Sequence, residues 1–218
     1  MNARVTVLVL ALVAGCLARN AAEPRFFRPD STLLRDAYGG ASPGRAEPAH
    51  VVRIRAVDGE PYLRERVVWR VSPVEYGFYE QRRWHELPTS YVERALEAAF
   101  RKSARVRLSD DLRVPSLRIT VTAFDDVLAP THVALVEATA SLRDPHGQLL
   151  LERPFSAEVA IADDNPATMA RAMGGALDTV ATQIADAIAD AASSPPGAAP
   201  PTKRALHKER PSRSGGRP

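Results

Sequence analysis

The sequence predicts a mixed α/β fold on the border with α+β, in which a five- or six-stranded, largely antiparallel sheet packs with two main helices. Between residues 51 and 161, apolar residues alternate with polar ones in short segments rich in β-branched side chains, which is typical of strands. Residues 90–101 and 166–188 instead repeat apolar residues every three or four positions, as amphipathic helices do. Neither period persists before residue 49 or after residue 192, so the folded domain is expected at residues 49–192.

The first strand is predicted over residues 51–57, where Val52, Ile54 and Ala56 alternate with other side chains. Turn residues follow it, and Ser72-Pro73 interrupts the next strand. The turn, the second strand and a further extended segment are expected at residues 58–61, 66–71 and 75–79.

A helix is predicted over residues 90–101. Ser90 and Glu93 have the spacing of a capping box, in which both side chains satisfy free backbone N–H groups at the helix start. Apolar residues then recur on one face, namely Val92, Leu96, Ala99 and Phe100. A short strand is expected after the helix, at residues 106–108.

The following segments predict an antiparallel meander. Residues 117–124 alternate cleanly, and residues 131–142 place one set of alternate side chains on one face: Val133, Leu135, Glu137, Thr139 and Ser141. Asp144-Pro145-His146-Gly147 has the composition of a tight turn. Returning strands are therefore expected at residues 149–153 and 155–161.

Asn165 and Pro166 predict where the last helix begins, because asparagine caps free N–H groups and proline suits the first helical position. An apolar stripe for packing on the sheet follows at Met169, Met173, Leu177, Val180, Ile184 and Ile188. Gly174 and Gly175 each cost roughly 1 kcal/mol of helix stability relative to alanine. A close approach to the sheet and a kink are two alternative explanations for the pair.

Residues 1–15 are expected to be a lipoprotein signal peptide. Arg4 precedes an apolar run over residues 5–13, which is too short to span a membrane, since spanning needs about 20 apolar residues. Leu12-Val13-Ala14-Gly15-Cys16 resembles the lipobox of bacterial lipoproteins, in which the cysteine is acylated (with palmitate, for example) and becomes the new N-terminus. Cys16 is the only cysteine and cannot form an internal disulfide. A free Cys16 in an ordinary signal peptide is the alternative.

Both ends of the mature chain are expected to lie outside the fold. Residues 16–48 are rich in Ala, Arg, Pro and Gly and are interpreted as a flexible, lipidated tether without a helix or strand. Within it, Phe26-Phe27 and Leu33-Leu34 are expected to dock on the domain, with docking on a partner as the alternative. Residues 193–218 form a Pro-rich basic tail with too few apolar side chains to fold. The tail is either simply solvated or binds anionic lipid or an acidic polymer.

The charge distribution argues against nucleic-acid binding. The chain carries a formal charge of +3 and has a pI of about 9.3. The tail contributes +5 and the signal peptide +1, which leaves −3 for residues 16–192. A basic stripe on a folded surface, which nucleic-acid binding needs, is therefore not predicted.

No catalytic or metal-binding constellation emerges from the sequence. The five histidines are scattered, and none has a second ligand three or four positions away. The acidic pairs Asp110-Asp111, Asp125-Asp126 and Asp163-Asp164 are expected at the edges of elements, where turn and capping roles explain them. Phosphate-loop, dinucleotide and nucleophile-elbow motifs are absent. We expect no enzymatic activity, no metal, and no cofactor other than the covalent lipid on Cys16.

One unusual run extends over residues 67–88: Val67-Val68-Trp69-Arg70-Val71-Ser72-Pro73, then Tyr76-Gly77-Phe78-Tyr79, then Arg82-Arg83-Trp84-His85-Glu86-Leu87-Pro88. It resembles the ABC-type transport auxiliary lipoprotein family (the PqiC-like group), in which a strand ending in Ser-Pro leads through a tyrosine-bearing segment into Arg-Trp-x-x-x-Pro and a helix. Pro61-Tyr62-Leu63, the strand at 117–124, the turn at Gly147 and the long last helix also match, so the resemblance covers residues 51–192. His85, where a small residue is expected, and the basic tail depart from it.

The resemblance implies a periplasmic docking component of an MCE-type ABC transport system for phospholipid or other apolar molecules. Its partners would be the MCE-family substrate-binding subunit and the ABC permease and ATPase, with the membrane reached through the lipid anchor and homo-oligomerisation left open. By resemblance to the lipoprotein sorting rule, Leu17 in place of Asp favours the periplasmic face of the outer membrane over the inner membrane.

The candidate partner-binding residues are Tyr76, Phe78, Tyr79, Arg83 and Trp84. The three residues of the Tyr-Gly-Phe-Tyr segment alternate in direction, so one side is expected to be exposed, and exposed aromatic residues favour interfaces. Trp84 has two interpretations, a core anchor before the helix or a contact with a partner.

Two rival functions stay open. One is a scaffold or activator lipoprotein for envelope or cell-wall assembly, whose tail binds an acidic polymer. The other is a lipid-binding module that holds cargo in its own cavity. Neighbouring genes for a permease, an ATPase and an MCE protein would favour transport, and mass spectrometry of co-purified lipid tests the module.

Overall fold

Three helices pack with a mixed eight-stranded sheet in the part of the chain that the computed structural model describes, residues 23–38, 50–103 and 105–193. The elements in chain order are β1 (Arg25–Phe27), α1 (Thr32–Tyr38), β2 (His50–Gly59), β3 (Arg66–Ser72), β4 (Glu75–Trp84), α2 (Pro88–Ser103), β5 (Val106–Leu108), β6 (Ser116–Val127), β7 (Val133–Arg143), β8 (Leu149–Ala160) and α3 (Pro166–Ser193). The predicted mixed α/β class is confirmed.

Strand β6 organises the sheet. Along one edge it pairs antiparallel with β7 over nearly its whole length, and β7 pairs antiparallel with β8. Along the other edge its first half pairs in parallel with β2, and its second half pairs in parallel with β3. The sheet therefore divides there, with β5 beside β2 and with β4, then β1, beside β3.

The sheet has more strands than the five or six expected, and four of its seven pairings within the described residues are parallel. The two full-length ladders, β6–β7 and β7–β8, are antiparallel as the meander predicted. Parallel neighbours need a long connection between them, so no local turn signal in the sequence marks such a pairing.

Two strands differ in detail from the predicted alternation. The pairing of β2 with β6 shifts between Ile54 and Ala56, and beyond this bulge Val57 packs on the core beside Ile54. The prediction that Ala56 shares a buried face with Val52 and Ile54 is therefore wrong. The bulge inserts one extra residue into β2, and this reverses the side of the sheet to which the following side chains point. The two returning strands at 149–161 are one strand, β8, which continues through Pro154 at the sheet edge.

Helix α2 begins at Pro88, two residues before the predicted start. The Leu87 carbonyl accepts hydrogen bonds from the amides of Ser90 and Tyr91, at 3.0 and 3.3 Å. Ser90 thus lies within the first turn, and its interpretation as the start of a capping box is wrong. Proline, with its fixed φ and missing N–H, is suited to begin the helix.

Helix α3 begins as predicted. The Asn165 side chain accepts a hydrogen bond from the Ala167 amide at 3.0 Å, and Pro166 is the first helical residue. The predicted apolar stripe of α3 is buried. The helix packs on β7 and β8 on one side and on α2 on the other, so it forms the centre of the core.

Residues 25–38 contain a strand and a helix, whereas the sequence predicted neither in the tether. The Asp30 amide donates to the Ala170 carbonyl of α3 at 3.0 Å. The Asp178 carboxylate of α3 accepts hydrogen bonds from the Ser31 hydroxyl and, at 2.7 Å, from the Thr32 amide. The long last helix therefore caps the first turn of α1.

The apolar pairs of this segment dock on their own domain. Leu33 and Leu34 are buried in the core, and Phe27 packs against it, while Phe26 stays exposed. Of the two alternatives that the sequence left open, docking on the domain is the one observed for three of these four residues.

The two glycines of α3 have different neighbours. A Cβ on Gly174 would lie 2.6 Å from the Ser31 nitrogen and closer still to the Asp30 carbonyl group. A Cβ on Gly175 would make an ordinary 3.6 Å contact with Val159 of β8. Close approach thus explains Gly174, but the approaching chain is the N-terminal segment rather than the sheet.

The predicted signal peptide, Cys16, residues 39–49 and the tail beyond residue 193 lie outside the described residues. None of the helices in the described part of the chain is both long enough and apolar enough to cross a membrane.

Candidate functional site

The predicted partner-binding residues all lie on β4, but they point to different sides of the sheet. Tyr79 donates a hydrogen bond to Asp126, whereas Tyr76 is the cross-strand partner of Arg70, which binds Asp125. Asp125 and Asp126 are consecutive residues of β6, so their side chains point to opposite faces. Tyr76 and Tyr79 are therefore divided between the two faces.

An aromatic surface, formed by Tyr62, Tyr76 and Phe78, lies on the Asp125 side. The ring centroids of Tyr62 and Tyr76 are 4.9 Å apart, and those of Tyr76 and Phe78 are 6.3 Å apart in an edge-to-face arrangement. Tyr76 is 46% exposed, and the Arg66 guanidinium lies 4.5 Å from the centroid of the Phe78 ring. This surface combines mutually packed rings with access from solvent.

Hydrogen bonds beneath the aromatic surface hold Tyr62 in place. Its hydroxyl donates to the Thr122 carbonyl at 2.7 Å and accepts from Nη2 of Arg70 at 3.2 Å. Arg70 also donates from Nε to Asp125 at 2.8 Å. Burial raises the pKa of Tyr62 to about 12. Burial also raises the pKa of Asp125, an effect that the Arg70 guanidinium opposes.

A second polar network surrounds Asp126. Its carboxylate accepts a hydrogen bond from the Tyr79 hydroxyl at 2.7 Å and lies 2.8 Å from Nε2 of His132 and 3.7 Å from Nη1 of Arg82. The Arg82 guanidinium also lies 4.0 Å from the centroid of the Tyr79 ring. Burial, together with the bond to Asp126, raises the pKa of Tyr79 well above its usual range. The network joins β4, β6 and the segment before β7.

Asp125 and Asp126 lie near the end of β6, as predicted, but their interpretation as turn or capping residues is wrong. Both lie within β6, with exposed fractions of 0% and 1%. Buried carboxylates need charged or hydrogen-bonding partners. This role was missed from the sequence, and the one signal that could have indicated it is Arg70, a charged residue inside an otherwise apolar strand. In contrast, Asp163 does have the predicted turn role, since it accepts from the Asn165 amide at 3.0 Å.

Trp84 is a core anchor and not a partner contact, because only 1% of its surface is exposed. Its ring packs edge-on against Phe124 and Tyr91, with centroids 5.2 and 6.4 Å away. Arg83, the neighbouring candidate, is half-buried on the opposite side of β4. The two residues therefore separate, and only Arg83 reaches the surface.

The outer edge of β4 is largely open. Strand β1 pairs with β4 only at residues 82–84. Residues 75–81 have no strand partner on that edge within the described part of the chain. Their backbone groups are available to pair with a strand from another protein.

A polar groove of about 480 Å³ crosses β2, β6, β7 and β8. It is lined by Arg55, Asp58, Ser116, Arg118, Thr120, Thr139, Ser141, Arg143 and Glu152. Such a lining does not suit an apolar cargo, because sites for apolar ligands are mainly hydrophobic. Among the described residues, no three His, Cys, Asp or Glu side chains are arranged to hold a metal ion.

The chain belongs to the family described as ABC-type transport auxiliary lipoprotein component, whose model matches residues 32–185. The resemblance carried by residues 67–88 is thereby confirmed. Membership supports a membrane-anchored, periplasmic lipoprotein associated with ABC-type transport.

Two solved structures share the fold. Protein XCC0632 from Xanthomonas campestris is 19% identical, with a TM-score of 0.63 over 77% of this chain and 96% of that one. A second structure, described only as an uncharacterized protein, is 17% identical, with a TM-score of 0.60 over 77% and 99% of the two chains. At these identities the similarity shows the fold alone. No curated protein matches the chain.

Proposed function

We propose that this protein is a lipid-anchored docking component of an MCE-type ABC transport system that carries phospholipid or other apolar molecules. The observation that carries the proposal is the aromatic surface beside the open edge of β4, in a member of an auxiliary lipoprotein family. The domain acts by position and catalyses no reaction. It holds the transport machinery at the membrane through which the cargo leaves or enters.

The aromatic surface has the properties of a protein-binding site. Tyrosine is enriched at interfaces because it offers a large apolar area and one hydroxyl. The hydrogen bonds among Tyr62, Arg70 and Asp125 fix the rings before a partner arrives, so little side-chain entropy is lost on binding. The open edge of β4 adds backbone donors and acceptors for a partner strand. An MCE-family subunit, with its permease and ATPase, is the partner we assign to this surface.

The anchor is the second part of the proposal. Cys16 carries several acyl chains, which bind a bilayer stably where a single chain gives only marginal attachment. Leu17 follows it, and the sorting rule for lipoproteins then favours the periplasmic face of the outer membrane. The docking domain is thus held on one side of the periplasm while its partners span the space.

Substituting Tyr76→Ala tests the docking surface. We expect the full-length lipoprotein to recover at least tenfold less MCE subunit and permease from detergent-solubilised envelope, because truncating an interface anchor costs about 2 kcal/mol or more. The matched control is Leu112→Ala, which also truncates an exposed apolar side chain and lies outside the aromatic surface. Equal recovery by the two variants, at unchanged thermal stability, would show that the partner binds elsewhere.

Substituting Cys16→Ser tests the anchor. We expect the variant to move from the membrane fraction to the soluble fraction, because serine cannot accept the thioether-linked lipid. Leu17→Asp serves as the control, since it keeps the acylated cysteine and is expected to stay with membranes. The readouts are fractionation by sedimentation and the intact mass of the mature protein. A Cys16→Ser variant that still sediments with membranes would refute the lipid anchor.

A further inference from the structure

Three arginines and a single glutamate line one depression of about 400 Å³. The depression is lined by Arg64, Glu65, Arg66, Arg83 and Leu87, so its charged side chains carry a net charge of +2. Within the described residues, none of the three arginines forms an ion pair. Arg64 donates only to the Pro61 carbonyl, and Nη1 of Arg83 is buried without a hydrogen-bond partner in that part of the chain.

About half of the other described arginines are paired with acids. Eight of them form ion pairs: Arg35 with Asp30, Arg70 with Asp125, Arg82 with Asp126, Arg94 with Glu86, Arg101 with Glu97, Arg105 with Asp190, Arg113 with Asp111 and Arg118 with Asp58. Other described arginines outside the depression also lack an ion pair, but Arg64, Arg66 and Arg83 lie together and form a local surplus of positive charge. Such a cluster matches phosphate, which arginine binds through parallel N–H donors.

An exposed aromatic residue lies in line with these arginines. Phe26 of β1 pairs with Arg83 of β4, which pairs in turn with Arg66 of β3. Cross-strand partners lie side by side on the same face of a sheet. Phe26 is 60% exposed, and Leu87 at the rim of the depression is also exposed. We name this set of residues (Phe26, Arg64, Arg66, Arg83 and Leu87) the cationic face.

We propose that the cationic face lies against an anionic phospholipid surface, with lipid phosphate groups bound by the three arginines and Phe26 inserted at the headgroup level. Arginines flanked by exposed aromatic and aliphatic side chains are the combination that favours the membrane interface. This proposal rests on the anchor proposed above. Glu23, the first described residue, follows Cys16 by seven peptide units, which span at most about 25 Å. An acylated Cys16 therefore keeps β1 and the cationic face near the bilayer.

The cationic face adjoins the aromatic surface. Arg66 belongs to the first and lies over Phe78, which belongs to the second. Membrane contact through the arginines therefore places Tyr76 close to the lipid headgroups. A partner that delivers or receives lipid must also reach the headgroups. One orientation of the domain satisfies the anchor, the cationic face and the docking surface together.

Vesicle co-sedimentation tests the proposal on the full mature chain carrying Cys16→Ser, so that no acyl chain contributes. The vesicles contain either phosphatidylcholine alone or equal parts of phosphatidylcholine and phosphatidylglycerol. We expect Arg64→Gln/Arg66→Gln/Arg83→Gln to bind anionic vesicles at least tenfold more weakly than the matched control Arg101→Gln/Arg105→Gln/Arg113→Gln, since each basic residue near the surface adds severalfold to membrane affinity. Phe26→Ser is expected to reduce binding further, and the basic tail is common to all variants.

Equal binding by the two triple variants would overturn the proposal. So would a triple variant at residues 64, 66 and 83 that keeps vesicle binding but loses MCE-subunit capture, because that result assigns the arginines to an acidic protein surface. Arg64→Gln/Arg66→Gln, which alters only exposed side chains, provides the same comparison if the Arg83 substitution prevents folding. The vesicle assay uses neither the lipid on Cys16 nor a partner protein. A negative result in that assay therefore refutes the membrane contact of the cationic face without refuting the proposed docking function.

Discussion

Gly174→Ala is expected to lower the free energy of unfolding by about 2–5 kcal/mol, although alanine is the better helix former by roughly 1 kcal/mol. The new Cβ would collide with the Asp30 carbonyl group and lie 2.6 Å from the Ser31 nitrogen, and neither is a flexible side-chain end. To relieve the collision, residues 30–34 must leave α3. That movement breaks the Asp178 cap and exposes Leu33 and Leu34, whose burial contributes about 1.5–3 kcal/mol each.

Gly175→Ala is the matched control, one residue along the same helix. Its Cβ would make an ordinary 3.6 Å contact with Val159, so only the helix-propensity gain applies. We expect this variant to be neutral or up to about 1 kcal/mol more stable than the wild type. Urea unfolding gives the stabilities, and hydrogen exchange at the Thr32 to Leu34 amides reports whether the segment has left. If the two alanine variants had the same free energy of unfolding, the close approach of the chain at Gly174 would contribute nothing to stability.

Local patterns in the sequence predicted several elements correctly, although the capping box at Ser90 was not one of them. The start of α3 was predictable because Asn165 caps the very next turn and Pro166 suits its place. The stripe of α3 was predictable because its period is that of a helix with one buried face. The β6–β8 meander was predictable because alternating segments are separated by the Asp144 to Gly147 turn, whose Gly147 has a φ of 85°.

The N-terminal segment could not be predicted in the same way, because its stabilising partners are remote in sequence. The carboxylate that caps α1 belongs to Asp178, 147 residues after Ser31. Residues 23–38 contain no periodic stretch long enough to indicate a helix on their own. Only the docking of Leu33 and Leu34 on α2 and α3 makes a seven-residue helix stable.

The candidate site was predictable as a segment but not as a surface. The Tyr-Gly-Phe-Tyr motif marked β4 correctly, yet the irregular pairing of β3 with β4 decides which side chains share a face. Tyr62 precedes β3 and completes the aromatic surface, and its only sequence signal is its place in the Pro61-Tyr62-Leu63 match to the family. Asp126 and Tyr79 form a structural network on the other face because β4, β6 and the segment before β7 meet there, a juxtaposition that no sequence spacing shows.

That network supports the last prediction. Asp126→Ala is expected to lower the free energy of unfolding by about 3–5 kcal/mol, the usual cost of removing one partner from a buried charged cluster. The substitution removes the acceptor of the Tyr79 hydroxyl and the carboxylate beside His132 and Arg82. Since Tyr79 and Arg82 are both on β4, we expect the strand to loosen first, and with it the aromatic surface on its other face.

Asp164→Ala is the control for this prediction, because Asp164 is fully exposed and its carboxylate lies 4.0 Å from Nδ1 of the same histidine. A surface substitution of this kind changes stability by less than about 0.5 kcal/mol. Urea denaturation provides both values, and MCE-subunit capture by Asp126→Ala below its midpoint shows whether docking depends on the network. A loss of stability no larger than that of Asp164→Ala would mean that water replaces the carboxylate at no cost. In that case Tyr79 would be held by its ring contact with Arg82, and the docking surface would not need the buried acid beneath β4.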